Sequence, residues 1–325
     1  MLEVVVTRVL ELYGELTLRT DLDWATVVRQ QNCPFLGRDC IKTRKSHPDI
    51  TIGTCSVLFG QKQPKEMIIC PHRLLERRQI FTDCVHLLTN NAPGNELHLV
   101  PEVAIPGGNV DYFLVAVRKD KVRDFVGIEM QTLDSTGTVW PFRQQFLQSV
   151  GVAVSDLAQS ADAEQATAMQ EAEEAATALA AAVLVDERSN RSQTGQRKKQ
   201  GFGMNWKMTA KTILMQMHHK VRTFEHVNRH LVMVIQDHFF SYLQRQFNFG
   251  HMNQATLGDS MHIHVYSLES TAAAPLRLSL NSRYSTDEKG IAQALGQQAE
   301  AKVELDQINA LLEAKLSRDT VLMLV

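Results

Sequence analysis

Two acidic residues interrupt neighbouring apolar segments of the chain. Asp111 begins the run DYFLVAV, and Glu129 lies inside the run FVGIEMQ. Apolar strands carry few carboxylates, because a buried charge without a partner costs free energy. A charged turn over 118–124 would join the two runs as an antiparallel hairpin, with Asp111 opposite Gln131 and both acids at the open end.

This pair of carboxylates has the chemistry of a metal site. Two carboxylates within a few ångströms repel each other unless a cation neutralises them, and oxygen ligands of this kind suit Mg²⁺. A water on such a cation, in line with a phosphodiester, is a hydrolytic nucleophile. Gln131 shares a face with Glu129, so its amide would orient the water or a phosphate. The alternative is structural, with Asp111 capping its strand and Glu129 pairing with an arginine of the turn.

Four cysteines form a second candidate site in the N-terminal part of the chain. Cys33, Cys40, Cys55 and Cys70 are separated by six, fourteen and fourteen residues, without a C-x-x-C pair. They could be small buried apolar residues. Their region is irregular and rich in proline and glycine, however, and a tetrahedral thiolate site would order such loops. Zn²⁺ and a single iron fit four thiolates equally well.

Two further groups have suggestive spacing. His262 and His264 alternate along a predicted strand and so share a face. With a third ligand they would form the metal site of a hydrolase. Without one they would be a pair that lies in the core or faces DNA. Lys207 and Lys211 lie four apart on a predicted helix, where they would face either phosphate or solvent.

Composition sets outer bounds on these hypotheses. The chain has 325 residues, 44% of them hydrophobic, and a formal net charge of −2. Its apolar stretches are shorter than the roughly 20 residues that span a bilayer, and its N-terminus lacks the basic segment of a signal peptide. We therefore expect a cytoplasmic protein with reduced cysteines and no membrane partner. Net charge does not exclude nucleic acid, because local patches decide binding.

The elements that must position these residues alternate between strand and helix. Strand patterns cover about 96–140, 231–235 and 261–268, and the sequence predicts helices over 78–89, 204–226, 238–247 and 286–316. The predicted fold class is α/β, with a mixed sheet flanked by helices. We predict a cysteine-bearing region over 1–90 and a second domain over 91–325. The second domain would carry a helical, low-complexity insertion at about 154–200, rich in Ala and Glu over 154–187 and basic after that.

The order of these motifs resembles a known family. Asp111, then Glu129-Met130-Gln131 on the next strand and a crossover helix, is similar to the PD-(D/E)XK nuclease core in its E-x-Q variant. Val110 stands where that signature has proline, and Gln131 where it most often has lysine. The run CPFLGRDCIKTRKSHPDITIGTC with ICPHRLLERRQIF resembles the NotI group of Type II restriction endonucleases, which also includes EagI.

The resemblance implies a Mg²⁺-dependent endonuclease that cuts double-stranded DNA at a GC-rich palindrome. It implies that Asp111 and Glu129 hold Mg²⁺, with Glu102 as an additional acid. It also implies a structural iron or zinc on Cys33, Cys40, Cys55 and Cys70, with Cys84 as the spare cysteine. We expect a homodimer and a companion DNA methyltransferase. The alternative is a non-catalytic, metal-stabilised DNA-binding or scaffold protein.

Basic residues beside the cysteines are the candidates for reading the DNA sequence. Guanine offers O6 and N7 acceptors in the major groove, which arginine or lysine can contact. The residues expected to make such contacts are Arg38, Arg44 and Lys45.

Overall fold

The computed structural model describes residues 8–44, 47–60, 64–136, 139–152, 202–271 and 274–296. The Ala/Glu-rich segment at 154–187, the basic segment that follows it to residue 200, Lys45 and the last helix beyond residue 296 lie outside the described residues.

Seventeen strands are found in the described part of the chain, and two of its helical segments are 3₁₀ helices, Pro71–Arg78 and Val85–Leu87. The strands are β1 (Val9–Leu12), β2 (Glu15–Leu16), β3 (Asn32–Cys33), β4 (Arg38–Asp39), β5 (Thr43–Arg44), β6 (His47–Thr51), β7 (Thr54–Phe59), β8 (Lys65–Ile68), β9 (Glu96–Ile105), β10 (Gly108–Arg118), β11 (Lys121–Gln131), β12 (Ser135–Thr136), β13 (Gly203–Met204), β14 (His230–Gln236), β15 (Asn253–Gln254), β16 (Met261–Thr271) and β17 (Ala274–Thr286). The α-helices are α1 (Trp24–Gln30), α2 (Gln79–Thr82), α3 (Trp140–Ser149), α4 (Trp206–His226), α5 (Asp237–Gln246) and α6 (Glu288–Ala294).

A seven-stranded mixed sheet forms the centre of the molecule, in the order β15-β17-β16-β14-β11-β10-β9. The three central strands β11, β14 and β16 run parallel, and the outer pairs are antiparallel. Helix α4 lies between β11 and β14 in the chain, as a crossover to a parallel strand must. The prediction of an α/β fold with a mixed sheet and helices is confirmed.

Burial explains why these segments take these forms. All seven residues of β14 are buried, as expected for a central parallel strand covered on both faces. Helix α4 buries Ala210, Ile213, Leu214 and Met217, at the three- and four-residue spacing of one helical face. These residues join a core cluster with Phe113 of β10 on one side of the sheet. No helix in the described part of the chain is long and apolar enough to cross a membrane.

The hairpin of β10 and β11 is tighter than the sequence predicts. Its turn consists of Lys119 and Asp120, both with left-handed φ (51° and 56°), instead of the whole charged segment from 118 to 124. Two left-handed residues in succession suit the right-handed twist of the strands. Because Tyr112 pairs with Ile128, the register places Asp111 opposite Glu129, whereas the longer turn predicted Gln131 there.

Two other segments differ from expectation. The helix predicted over 78–89 reduces to the single turn of α2 between the two 3₁₀ helices. It begins only at Gln79, because Arg77 and Arg78 take left-handed φ values of 51° and 55°. The last helix begins at Glu288 and not at Thr286, because β17 extends through Thr286. The N-terminal residues form a separate four-stranded sheet, in the order β2-β1-β7-β8, which the sequence analysis did not predict.

Candidate active site and cysteine cluster

Three acidic residues lie in a row across β9, β10 and β11. Val110 pairs with Val103 and Tyr112 with Pro101, so Glu102 lies opposite Asp111 on one side. The register of the hairpin places Glu129 opposite Asp111 on the other side. The row contains the three acids that the sequence analysis nominated.

Asp111 is held by the backbone of the neighbouring strand. Its Oδ2 accepts a hydrogen bond of 2.8 Å from the Met130 amide. Burial raises the pKa of Asp111, and the charge of Glu102 adds to the rise, while the Met130 amide and the Lys220 ammonium oppose it. Asp111 therefore caps no strand end; it bridges two strands from a partly buried position.

Glu129 is nearly inaccessible, with 3% of its side chain exposed, and its partner is Lys220 of α4. The Lys220 Nζ donates to the Glu129 Oε1 at 2.5 Å. Burial, reinforced by the charge of Asp111, raises the pKa of Glu129 to about 7 even though Lys220 opposes the rise. The predicted alternative, an arginine of the turn as partner, is wrong for this acid.

Sequence reasoning missed Lys220. The signal that could have found it is its position on α4: Met217, Val221 and Phe224 surround it on the buried face, and a lysine there has to find an acid. Lys207 and Lys211, which the sequence analysis singled out, are both exposed near the start of the same helix.

The other two members of the predicted site are less buried. Gln131 is half-buried two residues beyond Glu129 and pairs with Ile235 of β14. Glu102 is exposed and has a left-handed φ of 52°, which is uncommon for a residue with a side chain. Glu102 therefore lies at the solvent side of the row.

The four predicted metal ligands line one small cavity. Its volume is about 10 Å³, comparable to the space of a single water molecule. Its walls are Tyr13, Cys33, Cys40, Lys42, Gly53, Thr54, Cys55, Cys70 and His72. Across the described residues, no three His, Cys, Asp or Glu side chains are positioned to hold a metal ion together.

Burial and nearby backbone amides shift the pKa values of these thiols in opposite directions. Burial raises the pKa of Cys33, and the nearby backbone amides of Leu36 and Phe35 oppose the rise. Burial likewise raises the pKa of Cys55 and Cys70. Amides directed at a sulfur favour its thiolate form, which is the form that binds metal.

Cys84 lies apart from this cavity. It is buried in the core cluster on the other face of the sheet, and its Sγ is 3.8 Å from the His264 Nδ1. The structure thus separates Cys84 from the other four cysteines, as the resemblance implies for the spare residue.

His72 lies between the cysteine cavity and the row of acids. Its Nδ1 is 3.8 Å from the Cys70 Sγ. Burial lowers the pKa of His72, the charges of Lys42 and Arg38 lower it further, and the carboxylate of Asp111 raises it. The cavity, the exposed Arg38 and the acids therefore occupy one region of the molecule.

The basic residues nominated for DNA recognition have different surroundings. Arg38 follows Cys33 in the β3–β4 hairpin and is exposed. Arg44 is partly buried, with its guanidinium 5.1 Å from the centre of the Trp140 ring. Arg38 is the more accessible of the two for a ligand.

The paired histidines of β16 are core residues in this fold. The His262 Nε2 lies 3.2 Å from the His230 Nδ1 and 3.1 Å from the Asp259 carbonyl oxygen. Burial lowers the pKa of His262 to about 4 and that of His264 to about 3. The described residues provide no third side chain positioned to complete a metal site with them, so a hydrolase based on this pair is not favoured.

An apolar groove of about 430 Å³ is lined by residues of β9, β10, β11 and α4. Phe113, Phe125 and Phe224 form part of its lining, and Thr223 donates its hydroxyl hydrogen to the Pro106 carbonyl at the edge. Such a lining buries apolar surface but offers no group for acid–base or metal chemistry.

Comparison of the chain with protein-family models, curated proteins and solved structures finds no match.

Proposed function

We propose that this protein is a Mg²⁺-dependent endonuclease that hydrolyses phosphodiester bonds of double-stranded DNA. The observation that carries the proposal is the juxtaposition of Asp111 and Glu129 on neighbouring strands, both with raised pKa values. Two carboxylates kept close together in a buried site are costly unless a cation stabilises them. Perturbed acids in such a position are typical of functional sites.

The side chains would divide the work as follows. Asp111 and Glu129 would hold Mg²⁺, with Glu102 reachable at the solvent side. The ion would lower the pKa of a bound water, and its positive charge would stabilise the phosphate. Gln131, on the same face as Glu129, would orient the water, and the Met130 amide fixes the Asp111 carboxylate in place.

We further propose that Cys33, Cys40, Cys55 and Cys70 hold a structural iron or zinc ion. Support comes from the small cavity that the four cysteines line together. A closed site with four protein ligands leaves no position for substrate, so its role would be to order the loops that carry Arg38.

The finer properties follow from the chemistry of cutting DNA at a palindrome. Reading a two-fold symmetric GC-rich site and cutting both strands is done most simply by a homodimer with one site per strand. Arg38, Arg44 and Lys45 would contact guanine edges, with Lys207 and Lys211 on phosphates. A cytoplasmic Type II restriction enzyme of this kind needs a companion DNA methyltransferase.

One observation favours a second candidate, a non-catalytic DNA-binding or scaffold protein. The ion pair between Glu129 and Lys220 gives this acid a partner without any metal. In that case the acids would stabilise the fold, and the protein would bind DNA without cutting it.

Plasmid cleavage decides between the two functions. Unmodified GC-rich plasmid is incubated with Mg²⁺ and wild type, Asp111→Ala, Glu129→Ala or Glu96→Gln. We expect wild type to cut and both alanine variants to lose roughly 100-fold or more in rate. Glu96, an 82% exposed acid at the start of β9, is the matched control and should have no effect. Intact plasmid with wild type, or equal cutting by the alanine variants, would contradict the proposal.

A further inference from the structure

Lys220 is a charged residue in a position that favours apolar ones. Its side chain is 6% exposed, and its helical neighbours Met217 and Val221 are fully buried in the core. An ion pair taken out of water gains little net stability, and an apolar residue of similar volume often replaces it without loss. The position therefore calls for a reason other than stability.

Two glycines bring Lys220 to the acids. Gly107 lies in the turn between β9 and β10 and Gly108 begins β10, with φ values of 103° and 129° that disfavour other residues. A Cβ on Gly107 would lie 2.8 Å from the His219 carbonyl oxygen, and one on Gly108 would lie 3.3 Å from the Lys220 Cε. The turn thus admits the backbone of α4 and the stem of Lys220 against the hairpin.

The ammonium of Lys220 contacts an atom that a metal ion would need. Its Nζ lies 2.5 Å from the Glu129 Oε1, which is one of the two oxygens available to a divalent cation. An ammonium and Mg²⁺ that both contact this oxygen repel each other at close range. Metal binding at the Glu129 Oε1 would therefore compete with the ammonium.

We propose that Lys220 holds the place of the metal on Glu129 and, once displaced by Mg²⁺, contacts the reacting phosphate as the cationic residue of the site. This inference rests on the proposed nuclease function. Before metal binds, the ammonium keeps the paired acids together. With metal bound, the ammonium would remain near Glu129 and would be available to a phosphate oxygen of the substrate.

The role fills a chemical gap in the site. Negative charge develops on the phosphate during hydrolysis, and a preorganised cation in a buried site stabilises that charge. Gln131, at the third position of the motif, has a neutral amide and cannot supply it. Lys220 is the lysine that the described structure brings into contact with Glu129.

The test separates metal affinity from cleavage. Mg²⁺ binding to the full chain without DNA is measured by calorimetry at pH 8.5, and plasmid cleavage is measured at saturating Mg²⁺. The first variant is Lys220→Met, which removes the charge. The second is Lys220→Gln, which also removes the charge but keeps a donor to Glu129, and it replaces the first if the methionine variant does not fold. We expect both to bind Mg²⁺ about tenfold more tightly, since a competing charge is lost. We expect both to cleave roughly 100-fold more slowly.

Arg222→Met is the matched control, because it removes a positive charge from the exposed side of the same helix. This variant should leave both the Mg²⁺ affinity and the cleavage rate unchanged. Lysine variants that bind Mg²⁺ no more tightly than wild type overturn the place-holding role, and wild-type cleavage by them at saturating Mg²⁺ overturns the catalytic role. If wild type itself cuts no DNA, the nuclease function fails, and the Mg²⁺ titration alone still decides whether Lys220 competes with metal.

Discussion

Cys55 and Cys84 show how surroundings give one residue type two roles. Both thiols are buried, and burial raises the pKa of each. Cys55 faces three other cysteines across a small cavity. Cys84 packs among apolar side chains and meets the ring of His264. A metal would use the first and not the second.

Metal content therefore distinguishes the two cysteines. We expect wild type to carry about one iron or zinc per chain and Cys55→Ser to carry none, with a lower melting temperature, because metal binding adds to folding free energy. Cys84→Ser should keep the metal and lose only about 1 kcal/mol of stability. Elemental analysis and thermal melting check both. Metal-free wild type, or full metal content in the serine variant of Cys55, would sink the structural-metal proposal.

The acids of the site could be predicted from the sequence, whereas the pairing of Lys220 with Glu129 could not. Asp111 and Glu129 stand out because each interrupts an apolar run, and strand pairing then brings them together. Lys220 is far along the chain, 91 residues from Glu129, and joins it only through the packing of α4 on the sheet. Its role depends on tertiary structure, which local pattern does not encode.

At the scale of elements, β16 carries two histidines into the core. Cys84, His86 and Arg283 face His264, and His230 and Asp259 face His262. Both imidazoles have lowered pKa values, chiefly because burial disfavours their charged form. Each is thus neutral in the folded protein at pH 5 but charged in the unfolded chain.

Acid should destabilise the fold through these histidines. Their contribution is intact above the unfolded pKa of about 6.5 and is lost as pH falls toward the folded values of about 4 and about 3. At pH 5 the loss should be about 2 kcal/mol per histidine. Denaturant unfolding at pH 7 and pH 5 measures it.

His264→Leu should remove about 2 kcal/mol of the stability difference between pH 7 and pH 5. His98→Leu, which changes a half-exposed histidine on β9, should leave it unchanged. Equal pH dependence in wild type and in the leucine variant of His264 would contradict the assignment.

Elements with a strong local pattern were predictable, and others were not. The continuous apolar run of β14 and the helical spacing of α4 both predicted the observed element. In β17, Leu276, Leu278 and Leu280 alternate with polar residues, a strand signal that the sequence analysis overlooked. The N-terminal sheet pairs β1 with the distant β7, and strands this short carry little periodic signal.

At the scale of the whole molecule, buried polar side chains join the N-terminal sheet to the central sheet. Gln236 of β14 accepts a hydrogen bond from the Ile68 amide of β8 at 2.9 Å and donates to the Glu66 carbonyl at 2.6 Å. Arg73, 1% exposed, contacts Glu11 of β1 at 2.9 Å and the Leu276 carbonyl of β17 at 2.9 Å. The region over 1–90 is therefore fastened to the sheet that carries the acids.

The Arg73 guanidinium also donates to Glu76 at 2.8 Å. Arg73→Met would leave Glu11, whose pKa burial already raises, without its cation. We expect the free energy of unfolding to fall by about 3–5 kcal/mol, since removing one partner leaves a buried charge unpaired. Glu11→Gln combined with Arg73→Met removes that charge and should lose less than the single variant. Denaturant unfolding, monitored by tryptophan fluorescence, measures these losses. A loss below about 1 kcal/mol for the single variant would show that the two sheets are held together by other contacts.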